Sequence, residues 1–134
     1  MKYMLDTNIC IYIIKKHPES VFKKFKNLNL GDICISSVTL AELLYGAHKS
    51  QHQQKNKTAL EWFSAPLEIA SFDGNTADYY GELRAHLEKN GTPIGSLDTM
   101  IAAHALSLNL TLVTNNTKEF SRVPHLKIEN WMLK

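Results

Sequence analysis

The feature that most limits the fold is an alternation. Short apolar runs of strand length, "KYML", "DICISS", "LEIASF" and "LTLVT", are separated by longer stretches with helical spacing. A strand that re-enters its sheet after a helix must run parallel to the strand it left, because the crossover returns the chain to the same end. The chain is therefore expected to be α/β, with a central, mainly parallel sheet covered by helices on both faces. In such sheets functional groups collect at the carboxyl ends of the strands.

The intervening stretches read as follows. "NICIYIIKK" is a helix halted near His17-Pro18. Pro18 and Glu19 suit the first turn of a second helix, "PESVFKKFKNL", where Phe22, Phe25 and Leu28 form a stripe and Val21 meets Phe25. "VTLAELLYGAHKS" is helical, and the polar helix "QQKNKTALEWF" stops before Pro66. "NTADYYGELRAHLEKNG" is a long amphipathic helix with Gly91 as its stop. After the loop "TPIGS" come the helix "LDTMIAAHALSLN", the loop or short helix "NNTKEF", and a fifth, edge strand in "LKIEN". Repeats and linkers are absent, so the 134 residues are expected to form one domain, 1–134, large enough for its own core.

Net charge is +2, which does not by itself mark a nucleic-acid binder, and 13 of the 15 basic residues are lysines. Lysine spreads positive surface rather than reading partners bidentately. The lysine-rich stretches 15–26 and 49–57 could hold phosphates away from a reaction centre. Cys10 and Cys34 sit in apolar runs and read as small buried hydrophobes. With neither a signal peptide nor a membrane-length apolar run, the expected location is the cytoplasm, without membrane attachment.

The strand-end rule singles out the acids. Asp6 ends the first strand. Glu42 lies in the helix after the second, and Asp98 in the first turn of the helix before the fourth. The loop after the fourth strand offers Asn115, Asn116 and Glu119. Each has a local role open to it. Asp6 can cap its helix, although Thr7 and Asn8 can cap as well. Glu42 fits a capping box with Thr39, yet Val38 and Tyr45 place it on a partly apolar face, costly for a charge that nothing binds. Asp98 complements the helix dipole, and Ala102 and Ala105 on its stripe would let that helix pack closely. Several acids after separate strands, with no basic partner nearby in sequence, point to a cation site. Oxygen donors suit hard divalent ions, Mg²⁺ or Mn²⁺, rather than zinc. His48 and His52 stand at i,i+4 but lack a third ligand and read as a solvated helix end. His104, on a face with Leu97, Ile101 and Leu108, reads as a satisfied, partly buried core histidine. Carboxylates around such ions activate water for attack on a phosphodiester.

Four blocks, "MLDTN", "ISSVTLAELLYGA", "GTPIGSLDTMIAAHALSLNLTLVTNNTKEF" and "KIENW", occur in the order in which PIN-domain ribonucleases carry them. The chain resembles that family over its whole length, and within it the VapC toxins of VapBC toxin–antitoxin systems. The resemblance implies an α/β/α sandwich and Mg²⁺- or Mn²⁺-dependent cleavage of RNA, in many members transfer RNA. The family's acids fall on Asp6, Glu42 and Asp98. Its fourth acid, after the last main strand, falls on Asn116, an amide, with Glu119 near enough to compensate. Asn8 and Thr114 match supporting polar positions. It further implies a homodimer, a VapB-type antitoxin that blocks the site, higher toxin–antitoxin assembly, and DNA operator contact only through the antitoxin.

Two other readings stand beside the metal-dependent endoribonuclease. One is a PIN-like RNA- or protein-binding module with weak or no turnover, kept open by Asn116. The other, a receiver-like phosphoacceptor, needs paired acids after the first strand and a late lysine, and "LDTN" and "VTNN" provide neither. The first and third main helices carry more apolar residues than one buried stripe requires. Part of that excess is expected to be a protein interface.

Overall fold

The computed structural model describes residues 1–132, so the last residues of the expected 1–134 domain lie outside that range. Five strands, β1 (Tyr3–Leu5), β2 (Ile33–Ser36), β3 (Glu68–Ala70), β4 (Thr111–Val113) and β5 (Ile128–Glu129), form one sheet of order β3-β2-β1-β4-β5. Every pairing is parallel. The central register sets Leu5 opposite Val113. The helices are α1 (Thr7–Lys15), α2 (Glu19–Lys26), α3 (Ser37–Lys49), α4 (Gln53–Ser64), α5 (Gly74–Lys89), α6 (Ser96–Ser107) and α7 (Thr117–Phe120).

The pleat divides the core between two faces. Met4, Cys34 and Leu112 pack with Leu83 and Leu87 of α5 and Ile101, Ala102 and Ala105 of α6. Their sequence neighbours Leu5, Ile33, Ile35 and Val113 pack on the other face, with Ile9, Ile13, Leu43, Leu60 and Phe63 from α1, α3 and α4. Alternate side chains of a strand point to opposite faces, and both faces here are apolar, as the three-layer reading requires. Cys10 and Cys34 are buried free thiols, as their apolar settings foretold, and they lie in the two different cores.

Three helices end in the same way. Lys16 (φ 57°), Gly91 (φ 68°) and Asn109 (φ 55°) turn left-handed. The next amide in each case donates to a carbonyl five residues back: His17 to Tyr12, Thr92 to Leu87, Leu110 to Ala105. This closure satisfies carbonyls that the helix end would otherwise orphan. Gly91 was foreseeable as a stop, whereas Lys16 and Asn109 carry a side chain into that conformation. Pro18 stands at the cap of α2, one place before the first turn expected for it. "LKIEN" does supply the edge strand β5, and "NNTKEF" the short helix α7. His48 and His52 are exposed.

Among the longer helices α6 is the one most enclosed by the rest of the protein. Ala102, Ala103 and Ala105 are wholly buried and Ile101 is 1% exposed. Replacing Ile101 by alanine is expected to cost about 2–5 kcal/mol in urea unfolding. Leu108→Ala, at 43% exposure just beyond the same helix, is expected to stay within about 0.5 kcal/mol.

Candidate functional site

Strand order reverses between β1 and β4. The chain builds β1, β2 and β3 outward on one side, then crosses to place β4 and β5 on the other. Connections therefore leave the carboxyl ends of β1 and β4 in opposite directions and open a crevice between them. Asp6 follows directly on β1 and Thr114 directly on β4. The Asp6 amide donates to the Val113 carbonyl at 3.0 Å, so the two strand ends are joined at the crevice floor.

Asp6 is 5% exposed and is the N-cap of α1, with Oδ1 accepting the Ile9 amide at 2.9 Å. The expectation that Thr7 and Asn8 would make this cap redundant is overturned, because Thr7 is already the first helical residue. A carboxylate offers about four acceptor positions, so capping does not exhaust it. Burial raises the Asp6 pKa, and the Glu42 charge adds to that. The Thr114 side chain opposes the rise, as do the Ile9 and Asn8 backbones. Thr114 is fully buried, and its Oγ1 accepts the Asn116 amide at 2.9 Å, which leaves its hydroxyl proton for Asp6.

Glu42 is half-buried, and its Oε1 accepts the Thr7 hydroxyl at 2.7 Å. The expected capping box with Thr39 does not form. Ser36 caps α3 instead, and Thr39 lies inside the helix with its hydroxyl buried and unpartnered. Tyr45 is 66% exposed, so the face around Glu42 is less apolar than its helical neighbours implied. Thr7 is the residue that sequence reasoning missed. The available signal was a hydroxyl one position past Asp6, on the same turn.

Asp98 is half-buried in the first turn of α6. Its carboxyl is pushed up to about 6, chiefly by burial, then by the charges of Glu119, Asp6 and Glu42 in that order. All four acids therefore share one electrostatic neighbourhood. Glu119, on α7, is the strongest charged influence on Asp98, while Asn116 caps α7 through its backbone and makes no side-chain capping bond. Asn8 is exposed. Among the described residues the ion pairs are Lys23–Glu19 on α2 and Arg84–Glu88 on α5, so no lysine or arginine neutralises the cluster. The all-oxygen donor set suits a hard divalent cation. As they stand, no three His, Cys, Asp or Glu side chains among the described residues are drawn close enough to hold one ion together.

His104 differs from its expectation. It is buried at 1% exposure, with Nδ1 2.8 Å from the Ser36 hydroxyl and Nε2 without a hydrogen-bond partner.

Residues 3–126 match the PIN domain family. The chain belongs to that family. Its relatives include the tRNA(fMet)-specific endonuclease VapC of Shigella flexneri, 50% identical over 131 residues that cover 98% of each chain. Ribonuclease VapC2 of Rickettsia felis is 51% identical over 132 residues, again 98% of each. The solved structure of DNA-bound VapBC from Salmonella typhimurium contains a chain that superposes with a TM-score of 0.92 at 48% identity, covering 98% of each. These likenesses place the chain among the VapC ribonucleases of the PIN family, as its four sequence blocks implied. Like them, it is built for nuclease activity. No helix among the described residues is long and apolar enough to cross a membrane.

The raised Asp98 pKa has a stability consequence. The folded state holds this proton up to about pH 6, whereas an unfolded aspartate releases it near 4. The folded state binds more protons between those values, so stability falls as pH rises through that window. Asp98→Asn is expected to stabilise the protein in EDTA by about 1 kcal/mol at pH 7, after allowance for solvent screening. The gain should vanish below about pH 4, which thermal melts across pH will show.

Proposed function

We propose that this protein is the toxin of a type II toxin–antitoxin system and a Mg²⁺- or Mn²⁺-dependent endoribonuclease. The observation that carries the reading is the sharing of one neighbourhood by Asp6, Glu42, Asp98 and Glu119, without a basic partner, at the crevice where strand order reverses. Asp6, Glu42 and Asp98 would hold the metal, with Glu119 in the fourth acidic place that Asn116 cannot fill with charge. When bound, the ion would lower the pKa of a water and offset charge on the phosphate being cleaved. Thr7 orients Glu42 through Oε1, and Thr114 steadies Asp6. The substrate is RNA, and transfer RNA is the first candidate, since a relative 50% identical to this chain is a tRNA(fMet)-specific endonuclease.

Asp6→Asn isolates the chemistry, because asparagine caps a helix as well as aspartate does. Cleavage of transfer RNA in Mg²⁺ or Mn²⁺ is expected for the wild type. EDTA, Asp6→Asn and Asp98→Asn should each reduce it by about 100-fold or more, with the fold kept. Glu119→Gln should weaken Mn²⁺ binding in calorimetry. Equal cleavage by all the proteins would sink the reading. The specific observation behind a second reading, an RNA- or protein-binding module, is that no three ligands stand gathered for one ion among the described residues. Absence of Mn²⁺ binding at millimolar concentration would favour it.

The partner we propose is a VapB-type antitoxin, as in the solved VapBC complexes of relatives. A groove between α1, α3 and α4 is walled by Ile11, Ile14, Leu43, Ala59 and Leu60, with Glu42 at its margin. It fits a segment that lays apolar side chains along the groove and sets a cation against Glu42, away from Lys15, which also lines it. This is the apolar excess that the sequence placed on α1 and α3. DNA operator contact would come through the antitoxin. The exposed Tyr45, Trp62, Tyr79 and Leu97 offer surface for a homodimer and for higher assembly. Gly46 lines the groove, and a Cβ there meets nothing within 4 Å. Gly46→Phe is expected to fold at least as stably as the wild type and to bind the antitoxin about tenfold more weakly in calorimetry.

A further inference from the structure

We propose that His104 is a positioning residue: through the Ser36 hydroxyl it locks α6, which carries Asp98, to the first turn of α3, which carries Glu42. The inference rests on the functional reading above and adds a residue outside the acidic cluster.

Ser36 closes β2 and caps α3, and its Oγ accepts the Val38 amide at 3.1 Å. The same oxygen lies 2.8 Å from His104 Nδ1, with both residues buried. A hydroxyl has one proton to give. With Val38 donating to the oxygen, that proton is best used on Nδ1, which makes the ring a neutral acceptor with its own proton on Nε2, an atom without a hydrogen-bond partner. Burial favours the same neutral form, against the pull of Asp73 and the Ser71 backbone. The wholly buried Ser36 thus finds an acceptor for its proton on α6. Leucine would fill the volume but leave the hydroxyl proton unsatisfied.

The link is braced from behind. The Ser107 hydroxyl donates to the His104 carbonyl at 2.8 Å and packs 3.3 Å from the Thr76 hydroxyl, a contact and not a hydrogen bond, since Thr76 spends its proton on Asp73. Thr76 in turn gives both its amide and its hydroxyl to Asp73 Oδ1 at 3.0 Å, at the cap of α5. The Phe72 ring packs on the imidazole at 5.6 Å and 80°, and the Phe72 amide donates to the Ser37 hydroxyl at 3.1 Å. Ser36 and Ser37 therefore tie the start of α3 to two neighbouring segments at once. Glu42 stands six residues beyond Ser36, and Asp98 six before His104, roughly 9 Å of helix on each arm. A shift at the link moves one acid relative to the other.

His104→Leu, His104→Asn and Ser36→Ala test this. Asparagine keeps an acceptor near the place of Nδ1. In His104→Leu and Ser36→Ala, Val38 amide exchange should quicken, Mn²⁺ affinity should fall about tenfold in calorimetry, and kcat on transfer RNA should fall about tenfold with KM little changed. His104→Asn should recover most of each. The double variant should be no worse than the worse single one, because both cut one link. Wild-type exchange and Mn²⁺ affinity in a folded His104→Leu, or no recovery in His104→Asn, overturns the proposal. Should His104→Leu fail to fold, Ser36→Ala and His104→Asn decide it by Mn²⁺ affinity and kcat, because Ser36→Ala removes the Val38 acceptor whatever His104 does. Should the wild type neither bind Mn²⁺ nor cut RNA, the functional reading falls and takes the positioning role with it, and Val38 exchange then reports the link alone.

Discussion

The pairing of β1 with β4 is the constraint on which the rest depends. It sets two strands side by side whose onward connections diverge, and it binds the Asp6 amide to the Val113 carbonyl. That single peptide contact puts the first acid at the floor of the crevice where strand order reverses. The other acids reach the same crevice from α3, α6 and α7. A different strand order would scatter them without changing one local element.

Gathering acids in this way works against folding. Burial and mutual repulsion raise the carboxyls of Asp6 and Asp98. The structure offsets part of this with donors that cannot themselves carry charge: the Ile9 amide, the Thr114 hydroxyl on Asp6 and the Thr7 hydroxyl on Glu42. An arginine would offset more, but it would also fill the place of a cation. Neutral donors hold carboxylates in position while leaving their charge available. Retained repulsion of this kind is what the proposed metal site would require, and a network serving stability alone would not keep it.

Most of the architecture was legible because it follows from local rules. Apolar runs of strand length, helical stripes between them and Gly91 as a stop each have a reason within a few residues. So did the burial of Cys10 and Cys34. Local rules misled where two residues competed for one role. Thr39 and Glu42 look like a capping box, but Ser36 takes the cap and Glu42 pairs with Thr7, 35 residues away. Thr7 and Asn8 look able to relieve Asp6, but the helix begins at Thr7. His104 reads as an ordinary core histidine, because its partner Ser36 lies 68 residues away.

The sequence by itself determined the alternation of elements, the two apolar faces of each strand and the supply of acids after separate strands. These are properties of periodicity and residue type, which short windows contain. Only the tertiary structure decided which acids share a field, that Glu119 comes near enough to Asp98 for its charge to be felt, and which hydroxyl serves which carboxylate. Those outcomes turn on distances of a few ångströms between residues far apart in the chain, and strand order sets such distances.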